Sequence, residues 1–285
     1  RVVPESERLQ MVSERYVAIS NLLHCAAGLG SIEATSAILA LYPESDRLHA
    51  IRIRNRNGLT VLHCAAKSGS VECVKAILSV YPESERLQAV SMKDTYGRTV
   101  LHCVARSGNL QCIKLILDLY PESERLQAVS TQDTKGETVL HMVARSGNCE
   151  SLEAILSLYP KAQHLQAVSM RDTSGGTVLH HAARSDNLEC INTILSIYPK
   201  SEHFDVLNDQ DRFGMTPVHH VVSESDSIES IKAILDCFSE SEFTRALRMK
   251  DHSGRTVLHI ASVKGPEYMH TILDRCPESE RLQVL

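Results

Sequence analysis

The chain has 285 residues, 43% of them hydrophobic and 23% charged, with a formal net charge of −5. That is ample apolar material for a packed core, while so mild an acidity gives no general attraction to nucleic acid or to an anionic membrane. No apolar run reaches the length of a membrane span, and with no Trp and four Phe the core has to be aliphatic.

Read from the N-terminus, the chain opens at Arg1 without a signal-peptide pattern and spells PESERLQ from Pro4. The phrase returns at Pro82, Pro121 and Pro277. A second phrase keeps step with it: NLLH at Asn21, TVLH at Thr60, Thr99, Thr138, Thr177 and Thr256, and TPVH at Thr216. The spacings are 39, 39, 39, 39, 39 and 40, the odd value coming from an extra residue in SESDS near Ser225. Self-similarity at such a period marks a stacked-repeat architecture. The units run approximately 16–54, 55–93, 94–132, 133–171, 172–210, 211–250 and 251–285, with 1–15 as the tail of a preceding unit. Residues Arg15–Ile19 lack the Asp and Gly of the other units and read as a degenerate cap. The whole reads as a single array and a fragment of a longer protein.

Each unit reads as two helices and a turn. In the copy DTYGRTVLHCVARSGNLQCIKLILDLY (Asp94–Tyr120), Asp94 and Gly97 bracket a tight turn. Thr99 is a good N-cap for a helix from Val100 to about Ser107, and Pro217 after Thr216 suits the first helical position of its copy. Gly108 ends that helix in the left-handed conformation, as Gly69 and Gly147 do in theirs. Asp186, in the same place, tolerates that conformation better than most residues. A second helix follows from Asn109, with Leu110, Ile113, Ile116, Leu117 and Tyr120 on one face. Neither helix buries its apolar side alone. Stacked units do, which predicts an all-α solenoid.

The nine cysteines include no C-x-x-C pair. Cys25, Cys64 and Cys103 each follow a His, and Cys73, Cys112 and Cys190 share a second phase. Neighbouring units of a stack lie roughly 10 Å apart, whereas a disulfide needs Cα atoms within about 7 Å. These cysteines therefore read as reduced, buried small hydrophobes, and the compartment as intracellular.

Asp94, Gly97, Thr99, Leu101, His102, Ala105 and Gly108 resemble the ankyrin repeat, whose pattern is roughly D-x-x-G-x-T-P-L-H-x-A-A-x-x-G followed by an apolar helix. The resemblance covers essentially the whole chain and has two departures. Val replaces Pro in most TVLH motifs, and the unit has 39 residues where the family's usually has about 33. The extra residues fall within YPESERLQ. Pro82 is suited to begin a helix, Glu83 and Glu85 are favoured in its first turn, and Leu87 and Val90 are spaced to pin it inward. A short third helix is expected in each unit.

The resemblance implies that His63, His102, His141, His180 and His259 are structural, each bonded to the Thr three residues earlier and to a neighbouring unit's backbone. His180–His181 and His219–His220 add a second His each, but adjacent helical residues point about 100° apart and are not expected to converge. No metal or cofactor is expected. There is no G-x-x-x-x-G-K-[ST], H-E-x-x-H or G-x-S-x-G, so the chain does not read as an enzyme.

The resemblance implies instead a protein partner on the concave side, against the hairpin tips and the exposed edge of the first helix. Carried onto this sequence, the candidates are Arg56, Asn57, Lys67, Tyr96, Arg98, Arg106, Lys135, Glu137, Arg145, Arg184, Arg212, Phe213 and Met215. Lys67, Arg106, Arg145 and Arg184 share one phase and would form a basic rail about 30 Å long, suited to an acidic strip on a partner. The same charges complement helix C-termini. Tyr96, Phe213 and Met215 are large apolar groups at turn tips, a feature of binding hot spots. The PESER face reads as solvated. The chain is thus expected to be a protein–protein interaction scaffold or adaptor, with no nucleic acid, membrane insertion or small-molecule substrate. Three rival readings stay open. The array is the targeting arm of a larger enzyme or secreted effector, it binds nucleic acid along the rail, or it is a spacer.

Overall fold

The computed structural model describes residues 19–284. The expected tail at 1–15 and the expected cap at Arg15–Ile19, save Ile19 itself, lie outside them. Among the described residues every regular element is a helix. The fold divides into two compact units, with the division in sequence between Thr134 and Lys135.

In the N-terminal unit a helix over 19–28 is followed by Ile32–Ala40 and Glu44–Arg52. The trio then recurs as Val61–Ser68, Val71–Val80 and Glu83–Ser91, and as Val100–Ser107, Leu110–Leu117 and Glu122–Ser130. In the C-terminal unit the first helices are Val139–Ser146, Val178–Ala183, Pro217–Glu224 and Val257–Lys264. The second helices there are Cys149–Leu156, Leu188–Leu195, Ile228–Leu235 and Pro266–Arg275. Within each unit successive first helices pack on one another, as Val61–Ser68 does on Val100–Ser107 and Val178–Ala183 on Pro217–Glu224.

Local sequence explains the boundaries. Thr60 caps its helix by a reciprocal pair: its side chain accepts from the His63 amide, and its own amide donates to His63 Nδ1 at 3.3 Å. The same box forms at Thr99–His102, Thr138–His141, Thr177–His180, Thr216–His219 and Thr256–His259. Asp186 is left-handed, with φ 57°, and accepts a hydrogen bond from the Ser225 hydroxyl. Acidic or amide side chains close the hairpin turns at Asn55, Asp94, Asp172, Asp211 and Asp251. Asp94 Oδ1 accepts from the amides of Tyr96 at 2.8 Å and Arg98 at 2.9 Å. Asn55 does the same for Asn57 and Leu59. Adjacent hairpins then join by backbone bonds, from Thr95 to the Asn57 carbonyl in one unit and from Arg212 to the Ser174 carbonyl in the other.

The expected third helix is present, and Val90 anchors it as expected. Ala89 and Val90 are its buried residues, while Leu87 is half-buried. The Arg of PESER is not merely solvated. At the end of the second helix Arg86 Nε donates to the Tyr81 carbonyl at 3.3 Å and, beside the Tyr81 amide, to the Leu78 carbonyl at 3.1 Å. Arg125 does so at Tyr120 and Arg281 at Cys276. In two repeats His164 and His203 take over, bonding the carbonyls of Tyr159 and Tyr198. Those two third helices open as 3-10 turns, Lys161–Gln163 and Lys200–Glu202, before short α segments His164–Ser169 and His203–Leu207. A Lys replaces Glu at the first position after Pro in both, which removes the negative charge that a helix N-terminus favours.

The core is aliphatic, as composition requires: Leu62, Ile77, Leu101, Ile113, Leu140, Leu152, Ile155 and Leu179 are fully buried. Burial pushes Cys64 up to about 11 and Cys103 up to about 12, which keeps both thiols protonated and unreactive. The reading of Cys25 as buried is corrected. It is exposed. Cys237 is also exposed.

Candidate functional site

The hairpins and the outer edge of the first helices carry the thirteen candidate residues, and the structure sorts them. In the N-terminal unit Arg56, Asn57, Lys67 and Arg106 are exposed. Asn57 also serves the fold, since its carbonyl accepts from the Thr95 amide and hydroxyl. Tyr96 stands at a hairpin tip with 44% of its surface exposed. Arg98 belongs to the hairpin itself: its guanidinium bonds Asp94 Oδ2 at 2.7–2.9 Å and lies over the Tyr96 ring, 4.8 Å from its centre. It therefore stiffens the tip and braces Tyr96.

In the C-terminal unit Lys135, Arg145 and Arg212 are exposed. Phe213 is 59% exposed at its hairpin tip, although its backbone is held by Asp211 Oδ1 and by the His252 amide. Met215 is half-buried. Arg184, placed by the sequence on the basic rail, is turned inward: its Nε donates to His220 Nδ1 at 3.2 Å. Glu137 is mostly covered and lies 3.8 Å from His181 Nε2.

The ladder histidines are internal fittings. His63 Nδ1 lies 2.8 Å from the Thr60 hydroxyl and its Nε2 donates to the Met92 carbonyl at 3.0 Å. His102, His141 and His180 repeat this with the carbonyls of Thr131, Met170 and Asp209. Burial drives His63, His141 and His180 down to about 4, so all three are neutral near pH 7. His24, which follows Asn21 instead of Thr, turns Nδ1 to the Ser20 carbonyl and Nε2 to those of Ile53 and Leu59.

Each second histidine meets not its adjacent neighbour but the ladder histidine of the preceding repeat. His181 meets His141 of the preceding repeat edge to face, with ring centres 5.1 Å apart, and His220 meets His180 at 5.9 Å. Adjacent residues diverge along one helix, but stacking brings each second His against its neighbour's ladder His. Both reach a turn Asp: His181 Nε2 to Asp172 Oδ2 at 2.9 Å, and His220 Nε2 to Asp211 Oδ2 at 3.0 Å. Burial disfavours the charge of Asp172, but His181 and the amides of Gly176 and Ser174 outweigh it and hold the carboxyl at about 2. The signal for this arrangement was the doubled HH in TVLHHAA and TPVHHVV, where other copies have Cys, Met or Ile.

Three equivalent clefts lie beside third helices. The first, of about 270 Å³, is lined by Arg52, Tyr81 and Glu85, and the second, of about 290 Å³, by Ser91, Tyr120 and Glu124. The third, in the C-terminal unit, is lined by Ser169, Tyr198 and Asp205.

The family model for ankyrin repeats, in three-copy form, matches residues 22–125, 83–166 and 123–206, together more than half of the chain. The chain belongs to the ankyrin repeat family. The crystal structure of the human ASB11 ankyrin repeat domain is similar to it with a TM-score of 0.54 and 20% identity, over 90% of this chain and 97% of that one. At that identity the likeness concerns the fold. No curated protein matches the chain. Ankyrin repeats are protein–protein interaction modules, and this array carries the hairpins and paired helices of such a module. Among the described residues no helix is long and apolar enough to cross a membrane.

Proposed function

We propose that this ankyrin array is a non-catalytic scaffold that binds a partner protein through its hairpin tips and the outer edges of its first helices. The observation that carries the reading is Phe213. A large aromatic ring stands 59% exposed on a hairpin whose backbone is pinned on both sides. Exposed apolar surface costs free energy in water, and a rigid aromatic anchor loses little entropy on docking. Tyr96, braced by Arg98, plays the same part in the N-terminal unit. Lys67 and Arg106 in the N-terminal unit, and Arg145 and Arg212 in the C-terminal unit, are exposed cations, which favours acidic groups on the partner.

The test is photo-crosslinking in cell extract with a photoreactive residue at position 213 or, as control, at 150 on a second helix. A partner captured from 213, absent from 150 and lost on Arg145→Glu supports the reading. Equal capture from both positions places binding elsewhere.

A further inference from the structure

We propose that Glu137, Asp172 and His181 form a binding site for one divalent transition-metal ion of the zinc class. Three donor atoms, His181 Nε2, a carboxylate oxygen of Asp172 and one of Glu137, lie within 4.8 Å of one another. Zinc holds nitrogen and carboxylate oxygen at about 2.0–2.2 Å, which puts tetrahedral ligand atoms roughly 3.3 Å apart. The separations here, 2.9 Å from His181 to Asp172 and 3.8 Å from His181 to Glu137, bracket that value. Closing onto an ion needs only small swings of the side-chain ends.

The ligands are held by the fold. Asp172 Oδ1 accepts from the amides of Ser174 at 2.7 Å and Gly176 at 2.9 Å, which turns Oδ2 toward His181. The His181 side chain is 2% exposed and rests against His141. Glu137 comes from the preceding hairpin and is partly open to solvent, leaving room for water as a further ligand. A dication between two carboxylates balances their charge in a half-buried place. One imidazole with two carboxylates also suits a borderline ion better than calcium, which takes six to eight oxygens.

The next repeat supplies an internal contrast. There Asp211 and His220 form the same pair, but Gly176 stands where Glu137 does and offers no ligand. Arg184 donates to His220 Nδ1, so the ring proton is committed to Nε2, where a metal would have to bind. His181 Nδ1 is buried with no hydrogen-bond partner. In the ion-free site Nε2 donates its proton to the ionised Asp172 carboxylate; because no donor occupies Nδ1, that proton can move to Nδ1 or leave when an ion takes its place. Glu137 and the unoccupied His181 Nδ1 together set this junction apart from its neighbour.

The experiment uses the 285-residue chain with its exposed thiols removed by Cys25→Ser and Cys237→Ser. Zn²⁺ is titrated by calorimetry, and Co²⁺ by visible absorption, whose intensity reports coordination number. One ion per chain is expected. Glu137→Gln is expected to weaken binding at least tenfold, His181→Gln to abolish it, and His220→Gln to leave it unchanged. Saturating Zn²⁺ should raise the melting temperature of the parent and not of His181→Gln. Absence of a stoichiometric site overturns the proposal, as does an affinity that survives in Glu137→Gln. Glu137 sits at a hairpin edge, so that variant remains informative if the buried His181→Gln does not fold.

Discussion

Replacing His63 by Gln makes the chain's acid sensitivity measurable at one residue. His63 is fully buried, accepts from Thr60 through Nδ1 and donates to the Met92 carbonyl through Nε2. Burial lowers it from 6.5 to about 4, against the opposing pull of that carbonyl and of Asp94. Its folded value lies below its unfolded value, so the unfolded chain binds the extra proton. Its contribution is therefore complete above pH 6.5 and is lost as pH falls toward 4. Linkage puts the loss at about 2 kcal/mol by pH 5 and about 3 kcal/mol at the acid limit. At pH 7.5 the Gln variant, which breaks the Thr60–His63–Met92 connection, should be less stable by about 2–3 kcal/mol. At pH 5 the wild type has lost what the variant never had, and the gap should close to within about 1 kcal/mol. Urea unfolding followed by circular dichroism at both pH values, with equal m-values, measures it. A gap that stays constant between pH 7.5 and 5 refutes a neutral His63 in the fold.

Two further contrasts test the repeat's construction by thermal melting. Gly58 and Gly254 occupy the same left-handed turn position, with φ of 71° and 76°. An added methyl at Gly58 would sit 2.8 Å from the Thr95 amide nitrogen, whereas at Gly254 it meets nothing within 4 Å. Gly254→Ala should therefore cost about 1 kcal/mol for backbone strain alone, and Gly58→Ala clearly more. Arg86→Ala should cost about 1 kcal/mol by removing the donor to the Tyr81 carbonyl, while the Leu78 carbonyl keeps the Tyr81 amide, with Glu83→Ala near neutral. Equal effects of Arg86→Ala and Glu83→Ala would return PESER to the status of a solvated face.

The division between what was legible in the chain and what was not follows from the range of the interactions. The period of TVLH, the Thr caps, the turn Asp and Gly, and the Pro-opened third helix are readable because each acts within a few residues along the backbone. Val100–Ser107 has the boundaries that its cap and its terminal Gly imply. The ladder's hydrogen bonds were legible through the family resemblance, which carries stacked geometry with it.

What only the tertiary structure decided are contacts between repeats, where a side chain's partner lies some 40 residues away. Arg184 looked like one more cation on a rail, and its partner His220 is invisible until two helices are set side by side. His181 looked divergent from His180, and its true neighbours are His141, Asp172 and Glu137, drawn from two hairpins and the preceding helix. The sequence by itself determined the repeating unit, because local backbone preferences and apolar periodicity are written in adjacent letters. The side chains that meet across repeats were settled only by packing, because stacking geometry brings together residues that no spacing along the chain distinguishes.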